Sequence, residues 1–571
     1  MIELETRVKI PFLWGKAVFR KQNWSQINLI VGPNGSGKTL LAQKLAVQFG
    51  EAGYAVRFIK SERGGEAEQA RQMEILRENE KVRTKIERVL SSMFGKSIKF
   101  IEDIDGTMIP IVENRAWNVE YMLEQVECHG LREIISLLVS LYCKNGAGTS
   151  DRSDTEGVPG TLITRGDGSA GECIFFDEPE LHLHPQFQTF FINEIRKETA
   201  HSSRRIFFLI SHSPFFIDLR TPEDLTGVIA CHINQVPTSI EELNEEDDAL
   251  FRRFLPRFNT YHKQFFFSDN QIFVEGYTDQ QMFTNLLPYI EDDYKAAGTG
   301  IIDVGGKDEL GVFCKVCSLL GTNGRIITDL DSLFSGKLRD VACEDARVIG
   351  WLEKQRERQQ AFYEGIFTAK EMAQKVTLAR LIHKLERLLS ETGQELREEG
   401  FQKRMRDAYG GGGHKGASNK GSAHKVVSDN EKPHRQIMEE FTLFVSKLDA
   451  LQEKHDNADA VDTYKTVLLQ GINALGSVLE KQLSRKNAGN ITKIRNLASF
   501  ILAAMEAARV YILPRGCIEH YYTRSEIRYM PVSGKDRLFR AELEFIQDSH
   551  KKTVRKQFAE LIEILEKATG V

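Results

Sequence analysis

The fold of the first part of this 571-residue chain is decided by INLIVGPNGSGKTLLAQKLA, residues 27–46. A short apolar run leads into a glycine-rich turn, and an amphipathic helical pattern follows directly. Residues 32–39 fit G-x-x-x-x-G-K-[ST] in the strand–loop–helix setting that a phosphate-binding loop requires. In such a loop, successive backbone N–H groups face phosphate oxygens at a helix N-terminus. The stretch therefore predicts a site for a nucleoside triphosphate.

The side chains of this loop have distinct expected tasks. Lys38 should reach the β- and γ-phosphates of ATP, and the hydroxyl of Thr39 should bind Mg²⁺. The predicted nucleotide-binding residues are Gly32, Pro33, Asn34, Gly35, Ser36, Gly37, Lys38 and Thr39. A chance glycine turn is the alternative, and the strand and helix on either side argue against it.

Two further buried strands are predicted to complete the site. The run CIFFDEPELHLHP opens as a continuous apolar strand and brings Asp177 and Glu178 to its carboxyl end. Asp177 is expected to hold the Mg²⁺ ion through water, and Glu178 to polarise the attacking water. The strand in RIFFLISHSP ends at His212, which is placed to sense the γ-phosphate.

These residues resemble those of the ABC-type ATPases, and the run D-E-P-E-x-x-L-H-P is typical of their SMC/RecF-like branch. The resemblance covers about residues 1–260. It implies that two nucleotide domains sandwich ATP, so we expect a homo-oligomer formed through the ATPase domains. The best candidate for the signature loop is ECHGLREIISLLVSLY, residues 127–142, which departs from the usual L-S-G-G-[QE].

A second acidic centre follows the ATPase region. The segment QIFVEGYTDQQMFTNLLPYI reads as a buried strand that ends at Glu275 and is followed by a helix. Asp279 sits about one turn into that helix and faces back toward Glu275. After a second strand, GIIDVGG, a third strand in GRIITDLDS ends with Asp329 and Asp331. Being two residues apart, these two carboxylates are expected on one face of the strand.

The four acidic residues are expected to converge, because parallel strands bring their carboxyl ends to one edge of a sheet. Crowded carboxylates need a cation to offset their repulsion, and oxygen ligands in that number suit Mg²⁺ or Mn²⁺. The ordinary alternatives are a helix N-terminal cap for Glu275 and Asp279, and a polar edge between strand and loop for Asp329 and Asp331. Their joint occurrence, in order and after an ATPase, favours the metal site.

The pattern E-G-x-x-D … D-x-D resembles the Toprim domain of topoisomerases, primases and the nucleases of the OLD (overcoming lysogenization defect) family. An ABC-like ATPase followed by Toprim is the domain order of that family. The resemblance implies two metal ions that activate water and stabilise the leaving oxygen of a phosphodiester, with Glu275 helping to deprotonate the water. It also implies an extra acidic ligand, Glu519, on a last strand at residues 508–522. A late lysine is assigned to Lys535, with Lys307 as its competitor.

A long helical insertion is predicted inside the second domain. Apolar residues recur at spacings of three and four at Leu378, Leu381, Leu385 and Leu388, and at Ile437, Phe441, Phe444, Leu448 and Leu451. The short runs favour packing within a bundle over an extended coiled coil. Between them, residues 403–425 hold four consecutive glycines and six basic residues, which predicts a flexible tether. It is either a solvated linker, an arm that follows phosphates by charge, or a docking place for a partner.

The predicted fold class is α/β, with an ABC-type P-loop ATPase domain followed by a Toprim (Rossmann-like) domain that the helical insertion interrupts. The expected boundaries are 1–262 for the ATPase domain, 268–335 for the first Toprim part, 336–505 for the insertion with a flexible loop at 409–427, and 506–571 for the last Toprim part. Residues 144–171, rich in Gly, Ser, Thr and Asp, read as a mobile surface loop.

Composition limits the possible functions. The net charge of −5 gives no overall sign of nucleic-acid binding, so any DNA surface must be local. Scattered cysteines and the lack of an 18-residue apolar run favour a cytoplasmic protein without a membrane segment.

The resemblance implies a DNA endonuclease that uses ATP and Mg²⁺ or Mn²⁺. It also implies a role in antiviral defence, alone or within a multi-component system such as a retron, with a further protein or nucleic-acid component docking on the insertion. One competing interpretation is a nucleotide-gated DNA-binding or scaffold ATPase of the SMC/RecF type with a vestigial Toprim site. Another is a primase or topoisomerase, against which the sequence offers neither a zinc ribbon nor a recognisable DNA-cleaving tyrosine domain.

Overall fold

Two sheets with mainly parallel strands, one in each of two units, organise the chain. The computed structural model describes residues 2–61, 66–104, 106, 108–114, 117–122, 129–143, 161–164, 168–267, 270–292, 295, 298–322, 324–410, 431–453, 458–524 and 526–570. The first unit is Met1–Asp269 with Cys317–Thr322, and the second is Asn270–Val316 with Asn323–Val571. The α/β fold class predicted from the sequence is confirmed.

The strands of the first unit form three sheets. They are β1 (Ile2–Val8), β2 (Phe19–Trp24), β3 (Ile27–Val31), β4 (Tyr54–Ile59), β5 (Ser97–Glu102), β6 (Met108–Asn114), β7 (Val119–Met122), β8 (Thr161–Thr164), β9 (Gly171–Asp177), β10 (Arg205–Ile210), β11 (Val228–His232) and β12 (Gln235–Ser239). The main sheet has the order β12-β11-β3-β10-β9-β4-β8. Its five inner strands are parallel, and the edge strands β12 and β8 are antiparallel to their neighbours.

Aromatic side chains fill the space on one face of this sheet. Phe175 of β9 and Phe208 of β10 stack with ring centroids 4.3 Å apart, and Phe49 of the helix after the glycine loop meets Phe208 at 5.3 Å. Every residue of β10 is buried, which explains why its sequence is apolar from Ile206 to Ile210. The packing fixes the carboxyl ends of β3, β9 and β10 side by side.

Helices cover the main sheet and connect its strands. The helices of the first unit are Pro11–Trp14, Lys38–Glu51, Glu66–Glu78, Glu80–Phe94, His129–Tyr142, Pro185–His201, Pro222–Thr226 and Glu245–Phe254, with short 3₁₀ turns at Leu255–Arg257 and His262–Phe266. The predicted loop at 144–171 differs from the structure in one part, because Thr161–Thr164 pairs with β4 as strand β8. Residues 144–160 and 165–167 of that loop lie outside the described residues.

The second unit contains a four-stranded sheet in which all neighbours are parallel. Its strands are β13 (Asn270–Val274), β14 (Thr299–Asp303), β15 (Gly324–Thr328) and β16 (Val510–Ile512), in the order β14-β13-β15-β16. The insertion lies in sequence between β15 and β16, which are direct neighbours in the sheet. The prediction that a helical insertion interrupts this domain is therefore confirmed.

Helices make up most of the second unit. They are Tyr277–Leu286, Lys307–Leu319, Lys337–Glu344, Ala346–Arg358, Gln360–Ile366, Ala369–Met372, Leu378–Leu396, Glu399–Tyr409, Glu431–Gln452, Ala458–Gln482, Arg485–Ala507, Lys535–Asp548, Lys551–Gln557 and Ala559–Thr569, with 3₁₀ turns at Leu287–Tyr289, Leu330–Leu333 and Ile518–Tyr521. Among the described helices, none is both long and apolar enough to span a membrane.

The insertion is a bundle packed within the chain. The predicted apolar positions Leu378, Leu381, Leu385 and Leu388 are all buried, as are Phe441, Phe444 and Leu448. At Gly471 the helices approach so closely that a Cβ atom would lie 2.2 Å from the Phe444 ring.

The predicted tether and the predicted last strand both need correction. Residues 403–409 are not part of a tether, because they continue the helix Glu399–Tyr409, where Arg404 pairs with Glu395 at 3.1 Å. Residues 411–430, including the rest of the predicted tether, lie outside the described residues. The predicted strand at 508–522 is only Val510–Ile512, because Pro514 follows it closely and Gly516 adopts a φ of +133°.

Candidate nucleotide site and candidate metal centre

The glycine-rich loop of the first unit joins β3 to the helix Lys38–Glu51, as its sequence predicts. Lys38 is buried, and its ammonium donates to the carbonyl oxygens of Gly32 and Pro33 at 2.9 and 2.8 Å. Gly32 is required by space, since a Cβ atom there would lie 2.3 Å from the carbonyl oxygen of Cys231 in β11. The loop thus holds the Lys38 ammonium against its own backbone carbonyl groups.

The hydroxyl of Thr39 and the carboxylate of Asp177 meet beside this loop. Thr39 Oγ1 donates to Asp177 Oδ1 at 3.0 Å, and Asp177 is buried at the carboxyl end of β9. A hydroxyl and a carboxylate at this distance form the oxygen pair that Mg²⁺ uses beside a nucleotide. Both residues that the sequence assigns to Mg²⁺ are therefore in contact.

Glu178 and His212 lie next to each other at the ends of adjacent strands. His212 Nε2 is 3.6 Å from Glu178 Oε1, and the backbone of Glu178 has a positive φ of +47°. Such a φ is uncommon for a residue other than glycine. It sets the direction in which the Glu178 carboxylate leaves the end of β9. Burial and the Lys38 ammonium lower the pKa of His212 below its usual range, so its imidazole is neutral at pH 7.

Glu180 has a structural part in this site that the sequence analysis did not assign. Its carboxylate accepts from the Ser211 hydroxyl at 2.9 Å and from the backbone N–H of His212 at 2.6 Å. Burial raises the pKa of Glu180 above its usual range. The second glutamate of the D-E-P-E run thus fixes the segment that carries His212. Its place in that run is the sequence feature from which this role could have been predicted.

In the second unit, three carboxylates meet at the carboxyl edge of the parallel sheet. Glu275, Asp329 and Asp331 each offer an oxygen atom, and these atoms all lie within 4.8 Å of one another. Glu275 directly follows β13, and Asp329 directly follows β15, its neighbour in the sheet. The convergence expected from the sequence is present for these three residues.

The geometric reason given for the two aspartates was wrong. Strand β15 ends at Thr328, so Asp329 and Asp331 are not on one face of a strand. Asp329 is the N-cap residue of the 3₁₀ turn Leu330–Leu333, and Asp331 lies inside that turn. The tight turn, rather than strand pleating, brings both carboxylates to the same side.

Glu275 is fixed by hydrogen bonds to one of its oxygens. Its Oε1 accepts from the Thr328 hydroxyl at 2.5 Å, the Asp329 backbone N–H at 3.2 Å and the Ser332 hydroxyl at 3.3 Å. Thr328 and Ser332 are buried and were not singled out in the sequence. These donors orient the carboxylate, which is how supporting side chains prepare a metal ligand.

Asp279 lies outside the group of three but in the same acidic region. Its Oδ2 accepts from the backbone N–H of Gly276 at 3.2 Å, which is a capping contact of the helix Tyr277–Leu286. This is the ordinary alternative considered for Asp279, and the contact uses one oxygen of the carboxylate.

Glu519 is placed by the 3₁₀ turn Ile518–Tyr521, not by a strand. Its side chain is fully buried, and Lys535 Nζ lies 3.3 Å from Oε1. Neither carboxylate oxygen has a hydrogen bond of good geometry within the described part of the chain, and the thiol of Cys517 is a weak neighbour. A buried carboxylate with so few donors is a position that suits a cation.

Both candidate lysines reach the acidic residues, on different carboxylates. Lys535 contacts Glu519, whereas Lys307 Nζ lies 3.2 Å from Asp331 Oδ2 and donates to the Ser335 hydroxyl at 2.8 Å. Among the described residues, Asp331 Oδ1 is buried without a hydrogen-bond partner. The two lysines therefore complement each other, although the sequence analysis treated them as competitors.

The charges of this region act strongly on one another. Burial raises the pKa of Asp329 well above its usual range, and the charges of Glu275 and Asp279 raise it further. Burial also raises the pKa of Asp279 to about 7, with added effects of Glu275 and Glu519. Burial alone would lower the pKa of the Lys535 ammonium, but the carboxylates of Asp329 and Glu519 outweigh it and raise the pKa.

The balance of formal charge favours a divalent cation. With every group ionised, the five carboxylates and two ammonium groups of this region carry a net charge of −3. They belong to Glu275, Asp279, Asp329, Asp331, Glu519, Lys307 and Lys535. An all-oxygen set of ligands with uncompensated negative charge is typical of Mg²⁺ and Mn²⁺ sites. The residues present fit such an ion.

Two family models match parts of the chain. Residues 266–331 match "Overcoming lysogenization defect protein-like, TOPRIM domain", and residues 130–218 match "AAA domain, putative AbiEii toxin, Type IV TA system". No curated protein matches the chain. The chain therefore joins an AAA ATPase domain to an OLD-like Toprim domain. This pairing is consistent with the ATPase–Toprim fusions of the OLD family, so the resemblance inferred from the sequence is confirmed.

The matched ranges include most of the acidic residues described above. The Toprim match contains Glu275, Asp279 and Asp329 and ends at Asp331. The ATPase match contains Asp177, Glu178 and His212, whereas the glycine-rich loop, Glu519 and Lys535 lie outside both ranges. Those outer residues are assigned from their sequence patterns and their geometry.

Proposed function

We propose that the chain is an ATP-binding and ATP-hydrolysing, metal-dependent DNA endonuclease of the OLD type. The observation that carries this proposal is the group of Glu275, Asp329 and Asp331, with ligand oxygens within 4.8 Å of one another. The match of residues 266–331 to an OLD-like Toprim domain supports the nuclease chemistry. The Thr39–Asp177 contact beside the glycine-rich loop supports the nucleotide chemistry.

In this proposal, the residues of the acidic region divide the work of cleavage. Glu275, Asp329 and Asp331 hold one ion, and Asp279 and Glu519 contribute to a second. A bound Mg²⁺ or Mn²⁺ ion would lower the pKa of a coordinated water and offset charge on the leaving oxygen of a phosphodiester. Glu275 Oε1 would stay hydrogen-bonded to its three donors, and the other carboxylate oxygen would orient water or accept its proton.

The two lysines are proposed to bracket the phosphodiester. The ammonium of Lys535 contacts Glu519, and the ammonium of Lys307 contacts Asp331. Positive charge therefore lies beside two of the carboxylates. Against the net negative charge of the chain, such local cations are needed to bring a DNA phosphate into this acidic region. DNA is the substrate class that this arrangement fits best.

Conversion of supercoiled plasmid to nicked and linear forms tests the nuclease proposal. We expect cleavage with Mg²⁺ or Mn²⁺ and none in the presence of a chelator, because the carboxylates cannot organise water without an ion. The purified chain should hydrolyse ATP in the same preparation. Intact ATP hydrolysis with no cleavage under any divalent ion would instead favour a nucleotide-gated DNA-binding ATPase.

Self-association through the ATPase domains is part of the proposal, because one nucleotide domain supplies only half of a composite ATP site. We expect Glu178→Gln with ATP to sediment as a dimer or larger species at micromolar protein concentration, since ATP that is bound but not hydrolysed holds the two halves together. Lys38→Ala is the matched control, and it should not respond to ATP. Sedimentation of Glu178→Gln with ATP as a monomer would contradict this expectation.

A role in antiviral defence, alone or with a further component, is the cellular side of the same proposal. It rests on what the resemblance to the OLD family implies. The helical bundle of the insertion is the proposed docking place for such a component, because the cleavage chemistry does not use that surface.

A further inference from the structure

The helical insertion takes no part in the proposed chemistry, yet two of its helices contact the backbone that carries Glu519. Residues 515–530, called here the Glu519 segment, run from the end of β16 toward the helix Lys535–Asp548. Side chains from the helices Ala458–Gln482 and Glu431–Gln452 reach this segment. All of these residues belong to the second unit.

Gln470 of the helix Ala458–Gln482 binds both ends of the Glu519 segment. Its Nε2 donates to the carbonyl oxygen of Arg515 at 2.6 Å, and its Oε1 accepts from the backbone N–H of Met530 at 3.1 Å. The residue is 6% exposed, so water does not compete freely for these bonds. A single amide therefore closes the segment into a loop.

The contact at Gly516 extends this connection to the two aspartates. A Cβ atom at Gly516 would lie 2.2 Å from Gln470 Nε2, so the insertion helix approaches the backbone as closely as glycine allows. The carbonyl oxygen of Gly516 accepts from the backbone N–H of Leu330 at 2.7 Å. Leu330 stands between Asp329 and Asp331 in the sequence. Gln470 therefore contacts a backbone that joins Glu519 to the 3₁₀ turn of the aspartates.

The second helix supports the far end of the segment. Tyr529 is buried, and its hydroxyl donates to Glu440 Oε1 at 2.5 Å. Arg528 forms an ion pair with the same carboxylate. Glu440 thus binds two side chains near the end of the Glu519 segment, whereas Gln470 binds the backbone at both ends of it.

We propose that Gln470 is a positioning residue for the candidate metal centre, through which the helical insertion sets the placement of Glu519. The inference rests on the proposed function, because it concerns the same acidic residues. It assigns to the insertion a role in metal binding. The helix that carries Gln470 lies outside both matched ranges.

The physical reason is that few polar contacts orient the buried Glu519 carboxylate. It lies in a short 3₁₀ turn, with Lys535 and the weakly interacting Cys517 thiol as its polar neighbours. Its position must therefore come from the backbone, which Gln470 fixes. Loss of a hydrogen bond made directly to a ligand side chain typically weakens metal binding about 10- to 100-fold, and we expect the lower end of that range for Gln470, which acts through the backbone.

Binding of Mn²⁺ measured by electron paramagnetic resonance, without nucleotide, tests the inference on the full chain. Binding that disappears in Asp329→Asn defines the centre. Gln470→Met keeps the length of the side chain but removes both hydrogen bonds, and we expect it to raise the Mn²⁺ concentration for half-saturation about 10-fold. Plasmid cleavage should show the same shift in its Mn²⁺ midpoint and recover substantially at high Mn²⁺, with ATP hydrolysis unchanged.

Two further variants separate positioning from general loss of stability. Asn487→Ala removes another buried amide of the insertion, which donates to Glu395 at 2.6 Å within the bundle. It should lower the melting temperature without moving the Mn²⁺ midpoint. Gln470→Glu retains the acceptor for Met530 but loses the donor to Arg515, and it should also raise the midpoint.

The outcomes distinguish this inference from the proposed function. Mn²⁺ binding in the wild type without DNA cleavage would contradict the nuclease proposal, while a shifted midpoint in Gln470→Met would still support the positioning role. An unchanged midpoint in both Gln470 variants, or an equal shift in Asn487→Ala, would overturn it. Absence of Asp329-dependent Mn²⁺ binding in the wild type would overturn both proposals.

Discussion

Asp329→Asn should abolish DNA cleavage while leaving ATP hydrolysis at the wild-type rate. The substitution keeps the size of the side chain and removes one charged ligand from a group whose oxygens lie within 4.8 Å of one another. Metal ions contribute several kcal/mol to such reactions, so we expect a loss of about 10³-fold or more. ATP hydrolysis should persist, because its residues belong to a different sheet.

The same variant should be at least as stable as the wild type when no metal is present. The pKa of Asp329 is raised well above its usual range, chiefly by burial, so ionising it at pH 7 lowers the free energy of unfolding. Asparagine removes that penalty. The advantage should shrink as the pH falls toward about 4, where the aspartate is protonated in the unfolded chain as well.

Glu275→Ala is a less clean variant, for a reason that the sequence could not show. The buried hydroxyls of Thr328 and Ser332 and the backbone N–H of Asp329 donate to Glu275 Oε1, so a substitution that removes this acceptor takes hydrogen bonds away from buried donors. Asp329 makes the sharper test. Nicking and ATP turnover should be measured on one preparation of each variant, and cleavage that survives in Asp329→Asn after exclusion of contaminating nuclease would refute the assignment.

Lys38→Ala should weaken ATP binding about 100-fold or more. Lys38 is the buried cation of the glycine-rich loop, and removal of one partner from a buried charge pair costs about 2–5 kcal/mol. Equilibrium binding of a fluorescent ATP analogue measures the loss. Wild-type affinity in this variant would mean that the loop does not hold the phosphates.

Glu178→Gln is the matched variant for the chemical step. It should bind ATP with near-normal affinity and hydrolyse it about 100-fold more slowly or worse, because a positioned general base contributes about 10²–10⁴-fold. Glu178 lies 3.6 Å from His212 and at the end of β9, where it can orient water. Hydrolysis at the wild-type rate would show that another group is the base.

Much of both sites follows from local sequence patterns. The loop at residues 32–39, the acidic end of β9 and the strand before Glu275 each combine an apolar run with a turn, so pattern alone predicts them. The residues that orient the ligands were not predictable in this way. Thr328 and Ser332 are ordinary polar residues in the sequence, and only the close approach of Glu275 gives them a task.

Contacts between distant parts of the chain account for the other differences. Residues 161–164 read as loop because the residues around them are polar, but in the structure they pair with the edge of β4 as a strand. Gln470 resembles any helical glutamine until the backbone of residues 515–530 is placed beside it. Lys307 and Lys535 looked like alternatives because the sequence does not show that each meets a different carboxylate.

The separation of β15 and β16 along the chain has a consequence for biosynthesis. Strand β15 ends at Thr328, and its neighbour β16 begins at Val510, so the ribosome must add about 180 residues between them. At about 5–20 residues per second, this takes roughly 10–40 s. During that interval the nascent polypeptide contains both aspartates but neither Glu519 nor Lys535. Assembly of the complete acidic centre is thereby delayed until residues 510–535 have been synthesised, so the two aspartates wait for their late partners.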